Sequence, residues 1–600
     1  MLFETEIKVA VAEAMQKLYT IAITPQEVSI NATRKEFDGD LTVVVFNLAK
    51  QARKSPDQLA NELGAAILES SSTFSSFNVV KGFLNIEVKK DQWLSSFQSF
   101  TYAGYPVLPL ENASDKPLLV EYSSPNTNKP LHLGHLRNIL LGYSVAEILK
   151  TAGYPVKKVN LVNDRGIHIC KSMIAWQKAG NGETPESSGM KGDHLVGKYY
   201  VEFDKIYKSE IADLVAKGQS EDDAKKNAPI MLEAQEMLRK WEAHDADTIK
   251  LWETMNSWVY AGFNSTYALM GVDFDKMYYE SNTYLLGKEI VQEGLDKGVF
   301  YKKDDGSVWV DLTGDGLDHK LLLRGDGTSV YLTQDLGTAR LRYQETGFSK
   351  LIYVVGNEQD YHFKVLKLAM KKLGYEWWND LFHLSYAMVD LPSGKMKSRE
   401  GTVVDADDLM NEMITEAGAI TKELGKIDDF DSEEANRLYR MLGLGALKYY
   451  ILKVDPEKRM LFNPAESIDF NGNTGPFIQY TYARIRSVIR KGATIEEMAG
   501  FKSAAINSDF VFNDKEHALM KMILAYPYEL SAAAEKYSPA IMANYAFELA
   551  KNYNQFYHEN PIVDKADVAT SIFRLKLSEA CADILSKSLA LLGMQVPERM

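Results

Sequence analysis

The chain has 600 residues, 46% apolar and 25% charged, an ordinary globular mixture that excludes wholesale disorder. That length is too great for one hydrophobic core and, at about 150 residues per domain, divides into about four units. Its 68 lysines and arginines against 82 aspartates and glutamates leave a net charge of −14, which excludes indiscriminate polyanion binding. A nucleic-acid partner would have to meet a confined basic face on an acidic whole. No uncharged apolar run approaches the roughly 20 residues that span a bilayer, so no membrane partner is expected. The N-terminus lacks the apolar core of a signal peptide. Two cysteines, Cys170 and Cys581, cannot staple a chain this long, which fits a reducing cytoplasm.

Residues 1–110 read as a small α+β domain. Helical spacing runs through 6–21 and 55–70, and strand-like runs through 41–49 and 78–88. A stretch with three prolines, 105–117, reads as a linker. Residues 118–122 then form an apolar strand, and Leu136, Ile139, Leu140 and Tyr143 mark one face of a helix. Gly153 ends that helix, and 159–162 is a second strand. This βαβ unit implies a parallel sheet and opens a catalytic-type α/β unit assigned to 111–405. Residues 179–317 are polar, Gly-rich and then charged helical, and read as an insertion. A second βαβ half follows, with strands at 349–359 and 383–391 around a helix at 363–374. The chain from 406 to 600 is expected to be all helix. The fold class is therefore a doubly wound parallel α/β core between an N-terminal α+β domain and a C-terminal helical domain.

Two motifs carry chemistry. His132-Leu-Gly-His135 lies between a strand and a helix, where free N–H groups face phosphate and imidazoles can donate to charge developing in a transition state. Gly134 allows close approach of a planar base. Neither cysteine stands at a zinc-ligand spacing from these histidines, and no metal site is assigned. Gly394-Lys395-Met396-Lys397-Ser398-Arg399-Glu400-Gly401 is a glycine-bracketed basic loop after a sheet strand, where α/β ligands bind.

Together, in opposite halves of one sheet, the two motifs resemble those of class I aminoacyl-tRNA synthetases. Ser124-Pro125-Asn126 with Lys129-Pro130, Tyr331 with Asp335, Gly356 with Gln359 and His362, and the run from Gly475 to Arg484 narrow the resemblance to the arginyl-tRNA synthetase family, over essentially the whole chain. The resemblance implies arginine, ATP with Mg²⁺, and tRNA(Arg) as partners, a monomer, and a need for bound tRNA in efficient adenylate formation. It implies His132, His135, Lys129 and Lys395 as the groups stabilising phosphate charge, and Gly134, Gly356, His362, Met388, Lys397 and Ser398 as the ATP site. Glu280, Tyr331 and Asp335 would meet the guanidinium, and Asn126 and Gln359 the α-amino group, with Glu121 at the strand end. A guanidinium is planar, always charged and has five donors, so carboxylates and a phenol oxygen suit it.

The signature loop departs from the family pattern, because Ser398 stands where its second lysine belongs. Lys129 and Lys397 both stay open as the replacing cation. Asn163-Asp164-Arg165-Gly166 also departs, since many members carry Trp where Arg165 stands. Tyr482, Arg484, Arg490, Asn554, Tyr557 and Met600 fit the family's tRNA-contacting helical domain, and Phe37 and Gly82–Asn85 its tRNA-corner domain. Two alternatives remain: another class I synthetase, or a catalytically silent RNA-binding paralogue.

Overall fold

The computed structural model describes every residue except 1, 35, 105, 109–113, 391–403, 424, 426–428 and 508–509. Helix Glu4–Tyr19 buries Ile7, Ala10, Val11, Ala14 and Met15, the spacing of one helical face. Helix Pro56–Ser70 starts behind Ser55, whose hydroxyl accepts the Gln58 N–H at 3.3 Å. Both belong to the N-terminal domain, with a four-stranded antiparallel sheet in the order Ser29–Ala32, Leu41–Val44, Phe83–Val88, Phe74–Val80. The last two strands form a hairpin. Lys81 and Gly82 make its turn with φ of 50° and 79°, the left-handed pair that a tight hairpin requires. The expected strand over 41–49 is only half strand. It stops at Val44, and Phe46–Ala52 is helical, with Leu48 and Ala49 buried. A short continuous apolar run has no period to tell the two apart.

The central sheet has five parallel strands: β1 (Leu118–Glu121), β2 (Val156–Val162), β3 (Lys276–Tyr279), β4 (Lys350–Gly356) and β5 (Leu381–Tyr386), in the order β5-β4-β1-β2-β3. All four residues of β1 are buried, as a strand covered on both faces must be. Helix Leu133–Thr151 connects β1 to β2, and helix Asp360–Leu373 connects β4 to β5. The strand order reverses between β1 and β4, so the crevice beyond Glu121 and Gly356 is where such a sheet binds ligands.

The stretch 179–317 is not a single insertion. It contains β3, the edge strand of the central sheet, with helical segments Gly192–Ala216, Pro229–Glu242 and Ala246–Met270 before it. After it come helix Leu286–Asp296 and a three-stranded antiparallel sheet formed by Phe300–Lys302, Val308–Val310 and Lys320–Leu323. The sequence Lys-Met-Tyr-Tyr of β3 has only Tyr278 fully buried, so no apolar run announces it.

Helices Ala406–Glu423 and Ser432–Leu452 pack on each other. Gly475–Ala493, Asp514–Glu535, Pro539–Glu559 and Val568–Leu591 form a terminal bundle. That bundle touches the N-terminal domain: Lys521 pairs with Asp40 at 2.7 Å, and Gln98 donates to the Ile506 carbonyl at 2.7 Å. Among the described residues no helix is long and apolar enough to cross a membrane.

Candidate active site

His132 is the N-cap of helix Leu133–Thr151. Its Nδ1 accepts the Gly134 N–H at 3.1 Å, and Nδ1 of His135 accepts the His132 N–H at 3.2 Å, a reciprocal capping box built from two imidazoles. Because both Nδ1 atoms accept, the proton of each neutral ring lies on Nε2, the ring atom away from the cap, which can act as a donor. The rings are 3.9 Å apart, centroid to centroid. Burial pushes the His132 imidazolium down to about 4, helped by the Lys129 charge. Burial, His132 and Lys129 hold His135 well below its ordinary value. Both rings are therefore neutral near pH 7. A side chain at residue 134 would press its Cβ to 3.0 Å from His132 Cε1, so glycine keeps the cap geometry.

Lys129, His132, Asn126, Tyr331 and Asp405 line a cavity of about 380 Å³. Burial lowers the Lys129 ammonium from its usual pKa, and it has no carboxylate partner among the described residues. An unpaired, half-buried cation beside two N–H donors is suited to anionic oxygen. Gly356 ends β4, and a Cβ there would lie 3.6 Å from Met388 Sδ, so these two line the neighbouring strand end together. Lys395, Lys397 and Ser398 lie outside the described residues.

The other side of the crevice is acidic. Glu121 at the end of β1 is buried and forms an ion pair with the fully buried Arg342, whose guanidinium also lies over the Tyr278 ring at 4.8 Å. Burial pushes the Glu121 carboxyl up, and Arg342 opposes it. Glu121 thus already holds a guanidinium of the protein's own. Asp335 and Tyr331 share helix Tyr331–Thr346, with Tyr331 at its first position and 77% exposed. The structure brings Asp335 and His362 together, at 2.6 Å between Oδ2 and Nε2. Burial disfavours the His362 imidazolium, but the Asp335 contact outweighs it and the net pKa is raised. Glu280 starts a single helical turn directly after β3, and burial pushes its carboxyl up to about 7 against the nearby charge of Arg165. Gln359 is exposed just beyond β4.

Backbone conformation and buried polar side chains hold this crevice in shape. Ser123 and Ser124 both have positive φ, 78° and 43°, strain stored where β1 runs into the crevice. Asn138 accepts the Ser123 N–H at 2.6 Å and donates to the Val354 carbonyl on β4 at 2.6 Å, while Asn160 accepts the Ser124 N–H at 2.9 Å. Arg137, also buried, donates to the carbonyls of Met388, Pro456 and Lys458 at 3.3, 3.2 and 2.9 Å. The signal for Arg137 and Asn138 is their place between Leu136 and Ile139, within the apolar stripe of that helix. Asp193, His194 and Asp407 lie close enough together to hold a cation, but Lys191 Nζ already sits 3.2 Å from Asp193 and 2.5 Å from Asp407.

The family model described as tRNA synthetases class I (R), catalytic domain, matches residues 108–463, and the arginyl tRNA synthetase N terminal domain model matches 5–88. Arginine--tRNA ligases of Parabacteroides distasonis and Bacteroides thetaiotaomicron are 55% and 54% identical to the chain, each match covering 100% of both sequences. The chain belongs to the arginyl-tRNA synthetase family. The fold is shared with the arginyl-tRNA synthetase of Thermus thermophilus, at a TM-score of 0.80 and 24% identity over 100% of both chains.

The family's DALR anticodon binding domain model matches residues 478–600. In that region Arg484 lies over the rings of Tyr480 and Tyr557, at 4.9 and 5.4 Å, and donates to Asn554 Oδ1. Tyr482 is buried, and its hydroxyl donates to Glu598 at 3.0 Å. Arg490 donates to the Glu598 carbonyl at 2.9 Å with its side chain 51% exposed. Met600 packs against the bundle core. Tyr482, Arg484 and Asn554 thus first serve the packing of their own helices, and Arg490 is the one among them whose charge reaches solvent.

Proposed function

We propose that the protein charges tRNA(Arg) with arginine in two steps inside the β1–β4 crevice. An oxygen of the arginine carboxylate attacks the α-phosphorus of ATP, the bond to the bridging oxygen breaks, and pyrophosphate leaves. A ribose hydroxyl of the tRNA 3′-terminal adenosine then attacks the arginyl carbonyl carbon, loses its proton, and AMP leaves. The observation that carries this reading is the pair of neutral imidazoles with Nε2–H groups beside Lys129, which has no carboxylate partner among the described residues, in a chain 55% identical to an arginine--tRNA ligase over its full length.

On this reading the imidazoles donate to phosphate oxygens as charge builds, and being neutral they need no counter-ion before ATP arrives. Lys129 supplies the cation missing from the signature loop. Mg²⁺ enters with the ATP phosphates and is assigned no protein ligand. Asp335 and Glu280 meet the guanidinium with Tyr331 above them, and Asn126 and Gln359 meet the α-amino group. The fit to a five-donor fork provides selection against lysine at binding. The confined basic face for tRNA spans the N-terminal domain and the bundle, which touch through Lys521 and Asp40. The chain acts as a monomer in a reducing cytoplasm, where its two buried cysteines stay free thiols.

Aminoacylation of purified tRNA pools with each amino acid in turn tests the reading. Charging of tRNA(Arg) with arginine alone is expected. Charging with another amino acid would point to a sister synthetase, and no charging at all to an RNA-binding paralogue.

A further inference from the structure

The single helical turn Glu280–Thr283 has no cap of its own: its N-cap residue, Tyr279, makes no side-chain bond to it. The cap comes from another strand. Asp164, 1% exposed just past the end of β2, accepts the Ser281 N–H at 2.8 Å through one oxygen. Its other oxygen accepts the Ser281 hydroxyl at 2.7 Å and the Tyr260 hydroxyl at 2.8 Å. An orphan helix-start donor is thus satisfied from a distance of more than a hundred residues in sequence. The carbonyl of Asp164 is itself held, by Trp252 Nε1 at 2.6 Å and Asn256 Nδ2 at 3.2 Å.

The next residue holds the opposite end of the same turn. The Arg165 guanidinium carbon lies 4.0 Å above the ring of Tyr284, the residue that closes the turn through its N–H to the Glu280 carbonyl at 2.9 Å. Trp241 lies 5.2 Å from the guanidinium carbon, and Glu242 pairs with it at 2.9 Å. Planarity lets one guanidinium stack and pair at once, which an ammonium does not reproduce.

We propose that Asp164 and Arg165 are positioning residues that grip the Glu280 turn at both ends and thereby set the affinity for arginine. This rests on the reading of Glu280 as a guanidinium contact. The grip also connects to the amino end of the substrate. Asn163 accepts the Thr127 N–H at 3.1 Å through its carbonyl and donates its own N–H to the Pro125 carbonyl at 2.9 Å. One short segment after β2 therefore braces both Asn126 and Glu280. The charged and polar groups facing the Glu280 carboxyl are Arg165, Asp164, Asp335 and Gln334, and Arg165 is the cation among them.

The test is steady-state aminoacylation by the full chain, with arginine and ATP varied separately, for Ser281→Ala, Arg165→Ala, Arg165→Lys and Glu280→Gln. Ser281→Ala and both Arg165 variants are expected to raise the KM for arginine about tenfold, with the KM for ATP and kcat within about twofold of wild type. Ser281→Thr, which keeps the hydroxyl, should restore the arginine KM. In Arg165→Ala the pH at which the arginine KM levels off should move to higher pH, which a merely structural role would not produce. If Glu280→Gln raises the arginine KM while Ser281→Ala and Arg165→Ala leave it at the wild-type value, the grip is wrong and the site reading stands. A parallel rise in both KM values with loss of kcat also overturns it, as plain loss of structure. An unchanged arginine KM in Glu280→Gln removes the site reading and the inference with it.

Discussion

The two sides of the crevice solve opposite electrostatic problems. On the side proposed to take phosphate, His132 and His135 are neutral and Lys129 has no carboxylate partner among the described residues, so the donors stand ready without a stand-in ligand. On the side proposed to take the amino acid, each carboxylate leans on a group of the protein: Glu121 on Arg342, Asp335 on His362, Glu280 on the charge of Arg165. Burying a bare carboxylate costs several kcal/mol, whereas a neutral imidazole held by its own backbone costs far less. The difference teaches that carboxylates gathered in a crevice are kept intact by partners from the protein itself, which on the proposed reading compete with or imitate the substrate.

The largest expected effect follows from the one pair that is wholly internal. Arg342→Met would leave Glu121 buried and unpaired and should destabilise the protein by about 3–5 kcal/mol, read as a drop in unfolding midpoint in denaturant. The double variant with Glu121→Gln should recover most of that loss. A single variant as stable as wild type would mean the pair contributes little and Glu121 belongs to the substrate.

Asp335→Asn keeps the shape but removes the charge. It should raise the KM for arginine by about 10²-fold with a smaller effect on the KM for ATP, and it should release His362. An unchanged arginine KM would leave Asp335 as a partner of His362 and nothing more.

The pH dependence sharpens the comparison. Glu280, pushed up to about 7, is protonated below that pH and cannot pair with a guanidinium, and the Asp335 contact favours the His362 imidazolium in the same direction. The KM for arginine should therefore fall as pH rises, by about tenfold between pH 6 and 8. Over the same range the depressed imidazoles of His132 and His135 stay neutral, so the KM for ATP should change little. An arginine KM that is flat or rises with pH would contradict the assignment of Glu280.

The smallest effect belongs to the tRNA face. Arg490→Ala should weaken tRNA binding about two- to fivefold and lower the salt dependence by about one ion, because a single exposed phosphate contact carries no more. A loss beyond about a hundredfold would show that the Glu598 contact organises the bundle end.

The same contrast explains what could be read from the residues alone. The two βαβ halves of the parallel sheet were legible, because buried parallel strands and amphipathic crossovers have strong periods, whereas the strand order came only with the structure and β3, short and at the edge, escaped. The histidine pair at the helix start was legible as well, since His-x-Gly-His at a strand–helix junction is a local feature. The acidic side was legible only as residue types. That Asp335 would meet His362, that Glu121 would meet Arg342, or that Asp164 would cap a turn after β3, depends on contacts across 27, 221 and 117 positions, which no local period encodes. In the bundle, aromatic and basic residues at helical spacing do not reveal whether they stack on each other or on a base, and Arg484 with Tyr480 and Tyr557 does the former.

Arginine-dependent ATP–pyrophosphate exchange in the presence of tRNA, measured for Lys129→Ala beside Lys397→Ala, bears most directly on the claim that the crevice is an adenylate-forming site whose phosphate cation is Lys129. Lys129→Ala should lower exchange by about 10²-fold or more, with tRNA affinity and the KM for arginine nearly intact, and Lys397→Ala should be the milder change. A crippling Lys397→Ala with a mild Lys129→Ala would contradict it.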